Sequence, residues 1–71
     1  MELEEYLISR KFTRIEFSKM VGVTVGGLGK YIRGERMPTL QIARAIENAS
    51  NGKVTIDDLI ETWRKKNEKL D

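Results

Sequence analysis

The segment VGVTVGGLGKYIRG, Val21–Gly34, decides how this chain is interpreted. Gly22 and Gly34 each follow an apolar helical pattern, at the position where a left-handed glycine commonly ends a helix. Three further glycines lie inside the second of these patterns: Gly26, Gly27 and Gly29. Each interior glycine lowers helix stability by about 0.5–1 kcal/mol relative to alanine. The segment therefore predicts two short helices joined by a tight turn, the second of them unusually poor in side chains.

The run GGLGK, residues 26–30, also has to be compared with phosphate-binding loops. A Walker-type loop requires glycine, four residues, and then Gly-Lys-Ser/Thr. Here Thr24 stands where the first glycine belongs, and Tyr31 follows the lysine in place of the magnesium-binding hydroxyl. The dinucleotide pattern G-x-G-x-x-G also fails, because Ile32 occupies its last glycine position. The segment therefore argues against a nucleotide-binding enzyme.

Capping residues and apolar spacing divide the chain into five helical segments. Leu3, Tyr6 and Leu7 share one face of the first segment. Thr13 and Glu16 form a capping box, which predicts that the second helix begins just after Thr13. Threonines are also the expected N-caps of the other three helices: Thr24, Thr39 and Thr55. The pattern predicts an all-α fold of five helices.

The apolar residues of helices two to five are expected to supply the core. They are Ile15, Phe17, Met20 and Val21; Leu28, Tyr31 and Ile32; Leu40, Ile42, Ala43, Ile46 and Ala49; and Leu59, Ile60 and Trp63. Asn51-Gly52 is a turn signal, and KVTI, residues 53–56, is the only strand-like fragment. Trp63 has two interpretations, either closing the core or forming a dimer contact.

Length and composition exclude several classes of protein. The chain has 71 residues, which predicts one small domain over residues 1–71 with a charged tail at 64–71. Cysteine and histidine are absent, which removes disulfides, thiolate metal sites and the usual general base at neutral pH. No apolar run is long enough to cross a bilayer, and no leader pattern is present. We expect a cytoplasmic protein that needs no cofactor, metal or small-molecule ligand and has no membrane partner.

Acidic residues near the start of the fifth segment raise the question of catalysis. Asp57, Asp58 and Glu61 are near one another in sequence. Nothing else in the chain completes a catalytic or metal site, and acids in the first turn of a helix are ordinary helix-dipole chemistry. The sequence therefore predicts no catalytic residues and no enzyme activity.

Basic residues concentrate in the middle of the chain. Residues 10–44 contain eight basic side chains and two acidic ones, Glu16 and Glu35, a net charge of +6. Residues 1–9 carry −3 and residues 45–71 carry −1, so the chain has a formal net charge of +2. A basic centre between acidic ends is expected of a polyanion-binding surface, although chance clustering on a solvated surface explains it equally well.

The sequence FTRIEFSKMVGVTVGGLGKYIRGERMPTLQIARAI, residues 12–46, resembles the Cro/C1-type (XRE-like) helix-turn-helix family, which is common among phage repressors and bacterial regulators. The matching features are Phe17-Ser18, the turn Gly22-Val23-Thr24, Leu28, Tyr31 and the segment Gly34–Pro38. The resemblance extends over residues 3–63 and places the helix-turn-helix at about residues 14–33. It implies a lambda-repressor-like DNA-binding domain, similar to small phage Cro-like repressors.

The resemblance also implies which residues meet DNA. Base-facing positions are Thr24, Val25, Gly26 and Lys30, and phosphate-facing positions are Arg14, Arg33 and Arg36. Gly29 is expected on the same outer face as Gly26. Ser18 replaces the usual alanine and Arg14 a frequent glutamine. The glycines are the largest departure from the family pattern.

Three hypotheses explain the missing side chains. In the first, the helix backbone lies close to the groove wall, and Thr24, Val25 and Lys30 read the bases together with DNA shape. In the second, the helix is short or frayed in the free protein and orders on DNA. In the third, the bases are hardly read at all.

The function implied is sequence-specific binding of double-stranded DNA by a transcriptional regulator, acting as a repressor through operator occupancy in the major groove. A homodimer is a possible assembly, with Trp63 as a possible dimer contact. The alternative is a protein-interaction module, an antitoxin or accessory factor, that uses the same fold with weak or shape-only DNA binding.

Overall fold

The computed structural model describes residues 1–67 as five consecutive α-helices. The helices are α1 Leu3–Arg10, α2 Arg14–Val21, α3 Val25–Arg33, α4 Leu40–Ala49 and α5 Ile56–Asn67. No strand occurs among residues 1–67, and residues 53–55 form the turn before α5. The all-α prediction is confirmed. Residues 64–67 of the expected tail belong to α5, and the rest of that tail lies outside the described residues.

Threonine caps set the start of four helices, as the sequence predicts. Thr13 Oγ1 accepts a hydrogen bond from the Glu16 amide at 3.0 Å, and the Glu16 carboxylate accepts from the Thr13 amide at 2.9 Å. Thr55 and Asp58 form the same reciprocal pair before α5. Thr24 Oγ1 accepts from Gly27 and Thr39 Oγ1 from Ile42. These bonds satisfy amides that a helix N-terminus leaves without partners.

A residue with a left-handed backbone conformation lies just after each of the first four helices. Gly22 has φ of 87° and Gly34 has φ of 74°, as expected for C-terminal glycines. Lys11 and Asn51 occupy the equivalent positions after α1 and α4 with φ of 57° and 54°. The turn predicted at Asn51-Gly52 is therefore confirmed, whereas the end of α1 at a lysine has no glycine signal.

The core lies where α2, α3, α4 and α5 meet, with α1 packed against it. Its buried apolar residues are Leu3, Tyr6, Leu7, Phe17, Leu28, Tyr31, Ile32, Ala43, Ile46, Val54 and Leu59. The rings of Tyr6, Phe12 and Phe17 form an aromatic cluster with centroids 6.0–6.3 Å apart. This cluster links α1 to α2 and thereby supports the helix-turn-helix from behind.

Several residues expected in the core are exposed instead. Ile15 is 57% exposed and Leu40 is 62% exposed, and Met20 also lies on the surface. Each helical residue is rotated by about 100° from its predecessor, so Ile15 and Leu40 point about 200° away from the inward-facing Phe17 and Ile42. Their apolar character alone therefore does not place them in the core.

The inner face of α5 also differs from the prediction. Leu59 is buried, but Ile60 is 37% and Trp63 is 38% exposed. The turn after α3 packs closely on α5: a Cβ atom on Gly34 would lie only 2.7 Å from the carbonyl oxygen of Thr62. Thr62 thus occupies the inner position, and Trp63 is rotated towards the surface. The interpretation of Trp63 as a core-closing residue is wrong.

Among residues 1–67, no helix is long and apolar enough to cross a membrane. The same part of the chain contains no group of three or more acidic side chains that could hold a metal ion.

Candidate nucleic-acid interface

The turn between α2 and α3 is fixed by backbone hydrogen bonds to a single residue. The Ser18 carbonyl accepts from the amides of Gly22 at 2.8 Å and Val23 at 3.0 Å. Ser18 is itself buried, and its hydroxyl donates to the Ile15 carbonyl at 2.8 Å. A serine at this inward position therefore leaves no unsatisfied polar group, and the small side chain permits the close helix crossing.

Side chains on one face of α3 attach it to the core. Leu28, Tyr31 and Ile32 are buried, and Val23 packs against them from the turn. Because successive inward residues fix the helix rotation, the opposite face of α3 is presented to solvent. Thr24, Val25, Gly26, Lys30 and Arg33 are exposed there.

Arg14 and Arg36, the other two predicted cations, do not belong to α3. Arg14 is the first residue of α2, and Arg36 lies in the loop between α3 and α4. That loop is held in place by Pro38, which is buried, and by Met37, which packs against the core. We refer to Arg14, Lys30, Arg33 and Arg36 as the basic face. The structure brings Arg14 and Arg33 together, and all four of these residues are exposed.

Gly29 does not lie on the open surface, and its expected exposure is wrong. It is buried, because the guanidinium groups of Arg33 and Arg14 cover it. A Cβ atom on Gly29 would lie 3.1 Å from Nη1 of Arg33 and 3.5 Å from Nη1 of Arg14. The sequence could not indicate this cover, since Arg14 belongs to another helix.

The other two glycines of α3 have different surroundings. A Cβ atom on Gly26 would meet no other atom within 4 Å, whereas one on Gly27 would lie 3.0 Å from the capping hydroxyl of Thr24. The helix itself runs unbroken from Val25 to Arg33 through all three glycines. Gly26 is therefore the one position of the three where the fold leaves open space for a side chain.

Two arginines of the basic face are paired with carboxylates. Glu35 accepts hydrogen bonds from Nε of Arg33 at 2.9 Å and from Nη2 at 3.3 Å. The hydrogen bond from Arg33 lowers the pKa of Glu35, and Glu35 in turn raises the pKa of Arg33. Arg14 is 4.0 Å from Glu4, a looser contact. Sequence reasoning missed both acids; Glu35 is separated from Arg33 only by Gly34, but nothing in the sequence connects Glu4 with Arg14.

Lys30 and Arg36 complete the basic face without such partners. Within residues 1–67, neither side chain forms an ion pair or a side-chain hydrogen bond. They are therefore the cations of this face most directly available to an external anion.

Helix N-termini add partial positive charge near this surface, but not equally. α3 and α4 have no acidic residue in their first turn, so their dipoles are uncompensated there. In α2, the Glu16 carboxylate receives the Thr13 amide, which together with the Thr13 hydroxyl lowers the pKa of Glu16. The first turn of α2 already holds an anion, the Glu16 carboxylate, whereas the N-terminus of α4 can still receive a phosphate.

The geometry defines a domain with a helix-turn-helix whose second helix presents a basic, solvent-exposed face. A model of a helix-turn-helix family matches residues 3–58 of the chain. The chain therefore belongs to the Cro/C1-type helix-turn-helix family, a family of DNA-binding transcriptional regulators. No curated protein and no solved structure matches it significantly.

Proposed function

We propose that this protein is a sequence-specific regulator that lays α3 in the major groove of double-stranded DNA and represses transcription by occupying an operator. The observation that carries this proposal is the arrangement of α3, with Leu28, Tyr31 and Ile32 buried and the opposite face open and basic. A helix anchored in this way can enter the groove without losing its attachment to the domain. Such a protein acts beside the chromosome, and we propose the cytoplasm as its location.

Base recognition is assigned to a small set of residues. Val25 is 43% exposed at the start of α3, where its methyl groups can pack on a thymine methyl. Lys30, one turn further along, can donate to a guanine edge. Gly26 lies between them with no atom near its missing Cβ, which permits a close approach of backbone and base edges. Thr24 and DNA shape complete the recognition surface in this proposal.

Phosphate contacts are assigned to Arg14, Lys30, Arg33 and Arg36, with the free N-terminus of α4 assisting. If all four cations contact phosphates, the logarithm of the binding constant should fall with the logarithm of salt concentration with a slope of about −3.6 per subunit. A slope near zero would contradict the proposal and favour the protein-interaction alternative.

A matched pair of charge reversals tests the position of the interface. Lys30→Glu changes an exposed lysine on α3, and Lys53→Glu changes an exposed lysine in the turn after α4. Lys53 follows the C-terminal end of α4, whereas α3 precedes its N-terminal end, and the ten residues of α4 give the helix a length of about 15 Å. We expect Lys30→Glu to abolish DNA binding and Lys53→Glu to retain most of it, with both variants folded by circular dichroism. Equal losses would show that only net charge matters.

We further propose that the protein forms a homodimer through α5. Ile60 and Trp63 lie one turn apart on this helix and are exposed. Acidic Asp57 precedes them and basic Arg64 follows them. In an antiparallel pairing of two α5 helices about a two-fold axis, Asp57 of each copy would face Arg64 of the other. The charges on α5 therefore favour a second copy of this chain as the partner that covers Ile60 and Trp63.

Sedimentation equilibrium across a range of protein concentrations tests the dimer. We expect Trp63→Ala to shift the protein towards monomer, whereas Leu40→Ala, which removes an even more exposed apolar side chain on α4, should leave association unchanged. A monomeric wild-type protein at high concentration would overturn the dimer proposal without affecting the assignment of α3.

A further inference from the structure

Two guanidinium groups from different helices converge over Gly29. Nη1 of Arg33, from the end of α3, and Nη1 of Arg14, from the start of α2, lie 3.1 Å and 3.5 Å from the place of its missing Cβ atom. The two nitrogens are therefore less than 7 Å apart. Like charges so close repel each other, and an anion between them relieves the repulsion. The side chains are 44% and 48% exposed, so an external anion can reach both.

The Nε and Nη2 edge of Arg33 already holds a bidentate carboxylate. Glu35 binds this edge at 2.9 Å and 3.3 Å, while Nη1 remains directed over Gly29. A guanidinium fork binds carboxylate and phosphate with the same two-point geometry. Glu35 consequently occupies the arginine edge that would give a phosphodiester its strongest contact.

We propose that Glu35 competes from within the protein with a DNA phosphodiester for the Nε–Nη2 edge of Arg33, whose guanidinium lies beside that of Arg14 over Gly29. The inference rests on the proposed function of the basic face. DNA binding at this edge exchanges the Arg33–Glu35 ion pair for an Arg33–phosphate contact, so Glu35 sets an upper limit on affinity. Lys30 and Arg36 make the first electrostatic contacts, because no carboxylate among residues 1–67 has to be displaced from them.

Gly29 has a defined part in this arrangement. A Cβ atom on Gly29 would lie 3.1 Å from Nη1 of Arg33, so the guanidinium would have to shift by a few tenths of an ångström. A longer side chain would fill the space between the two arginines. Because Gly29 has no side chain, the two guanidinium groups can both lie over it.

A double-mutant cycle with Glu35→Gln and Arg33→Gln tests the competition. Binding to a mixed-sequence duplex is measured by fluorescence anisotropy at fixed salt for the wild-type protein, both single variants and the double variant. Exposed ion pairs are weak, so we expect Glu35→Gln to tighten DNA binding by roughly two- to fivefold. In the Arg33→Gln background the same change should have almost no effect, because there is no guanidinium to release.

Glu4→Gln is the matched control. It removes the same charge from a contact of 4.0 Å that is too long for a hydrogen bond, so its effect should be smaller than that of Glu35→Gln. An equal gain from Glu35→Gln in both backgrounds would reduce the effect to net charge and overturn the competition. No gain in either background would also overturn it. In both cases wild-type binding would leave the proposed function intact, whereas a wild-type protein that fails to bind DNA at low salt would overturn both.

Discussion

Gly34 and Gly26, one just beyond the end of α3 and one near its start, lack a side chain for different reasons. Gly34 has a left-handed backbone and lies against α5, where a Cβ atom would be 2.7 Å from the Thr62 carbonyl oxygen. Gly26 has an ordinary helical backbone, and no atom lies within 4 Å of its missing Cβ. The fold requires the first glycine and not the second. The fold therefore gives no reason for the absence of a side chain at Gly26, and the proposed contact with DNA would supply one.

The largest expected effect is that of Gly34→Ala. A left-handed alanine costs about 1–2 kcal/mol, and crowding in a packed region adds about 1–3 kcal/mol. We expect a loss of roughly 2–5 kcal/mol in the free energy of unfolding, measured by urea denaturation. A loss below that of Gly22→Ala would show that the contact between Gly34 and α5 is not tight.

Gly22→Ala separates backbone strain from crowding. Gly22 has φ of 87°, but no atom lies within 4 Å of its missing Cβ. We therefore expect only the backbone term, a destabilisation of about 1–2 kcal/mol. The DNA affinity of the folded fraction should change little if the turn recovers its geometry, and a loss larger than that of Gly34→Ala would contradict the comparison.

Gly26→Ala should act in the opposite direction. With open space and helical backbone, alanine should stabilise the domain by about 0.5–1 kcal/mol, seen as a higher urea midpoint. If the backbone approaches base edges at this residue, the same variant should bind DNA more weakly. A variant that is more stable and binds equally well would show that the missing side chain has no part in recognition.

The smallest expected effect is that of Gly29→Ala. The gain in helix propensity, about 0.5–1 kcal/mol, is offset by the displacement of the Arg33 guanidinium, the mobile end of a long side chain. We expect thermal stability close to that of the wild-type protein, with a loss of DNA affinity larger than its effect on stability. Strong destabilisation would show that the two guanidinium groups cannot move away from residue 29.

The difference between features set within one helix and features set by packing between helices explains what could be predicted from the sequence. The caps at Thr13 and Thr24 and the ends at Gly22 and Gly34 depend on residues within one helical turn, and all were predicted. The cover over Gly29 depends on Arg14, fifteen residues earlier in the chain. The exposure of Trp63 depends on how the end of α3 packs against Thr62. These features follow from tertiary packing, for which a single sequence has no local signal.

The exposure of the predicted cations follows from the helical pattern, whereas their acidic partners do not. Arg14 and Arg33 meet over Gly29 because the inward residues of α2 and α3 fix the rotation of both helices. Their partners Glu4 and Glu35 become apparent only from side-chain geometry. The sequence thus indicates the basic side chains of the proposed interface, but not the acids of the protein that lie beside them.

Selection from a library of random DNA duplexes at physiological salt tests the central claim most directly. If α3 reads bases despite its glycines, sequencing of the bound fraction should show an enriched motif, arranged as an inverted repeat if the protein binds as an α5-mediated dimer. Retained binding at low salt with no enriched sequence would contradict the claim, because α3 would then contact DNA without reading it.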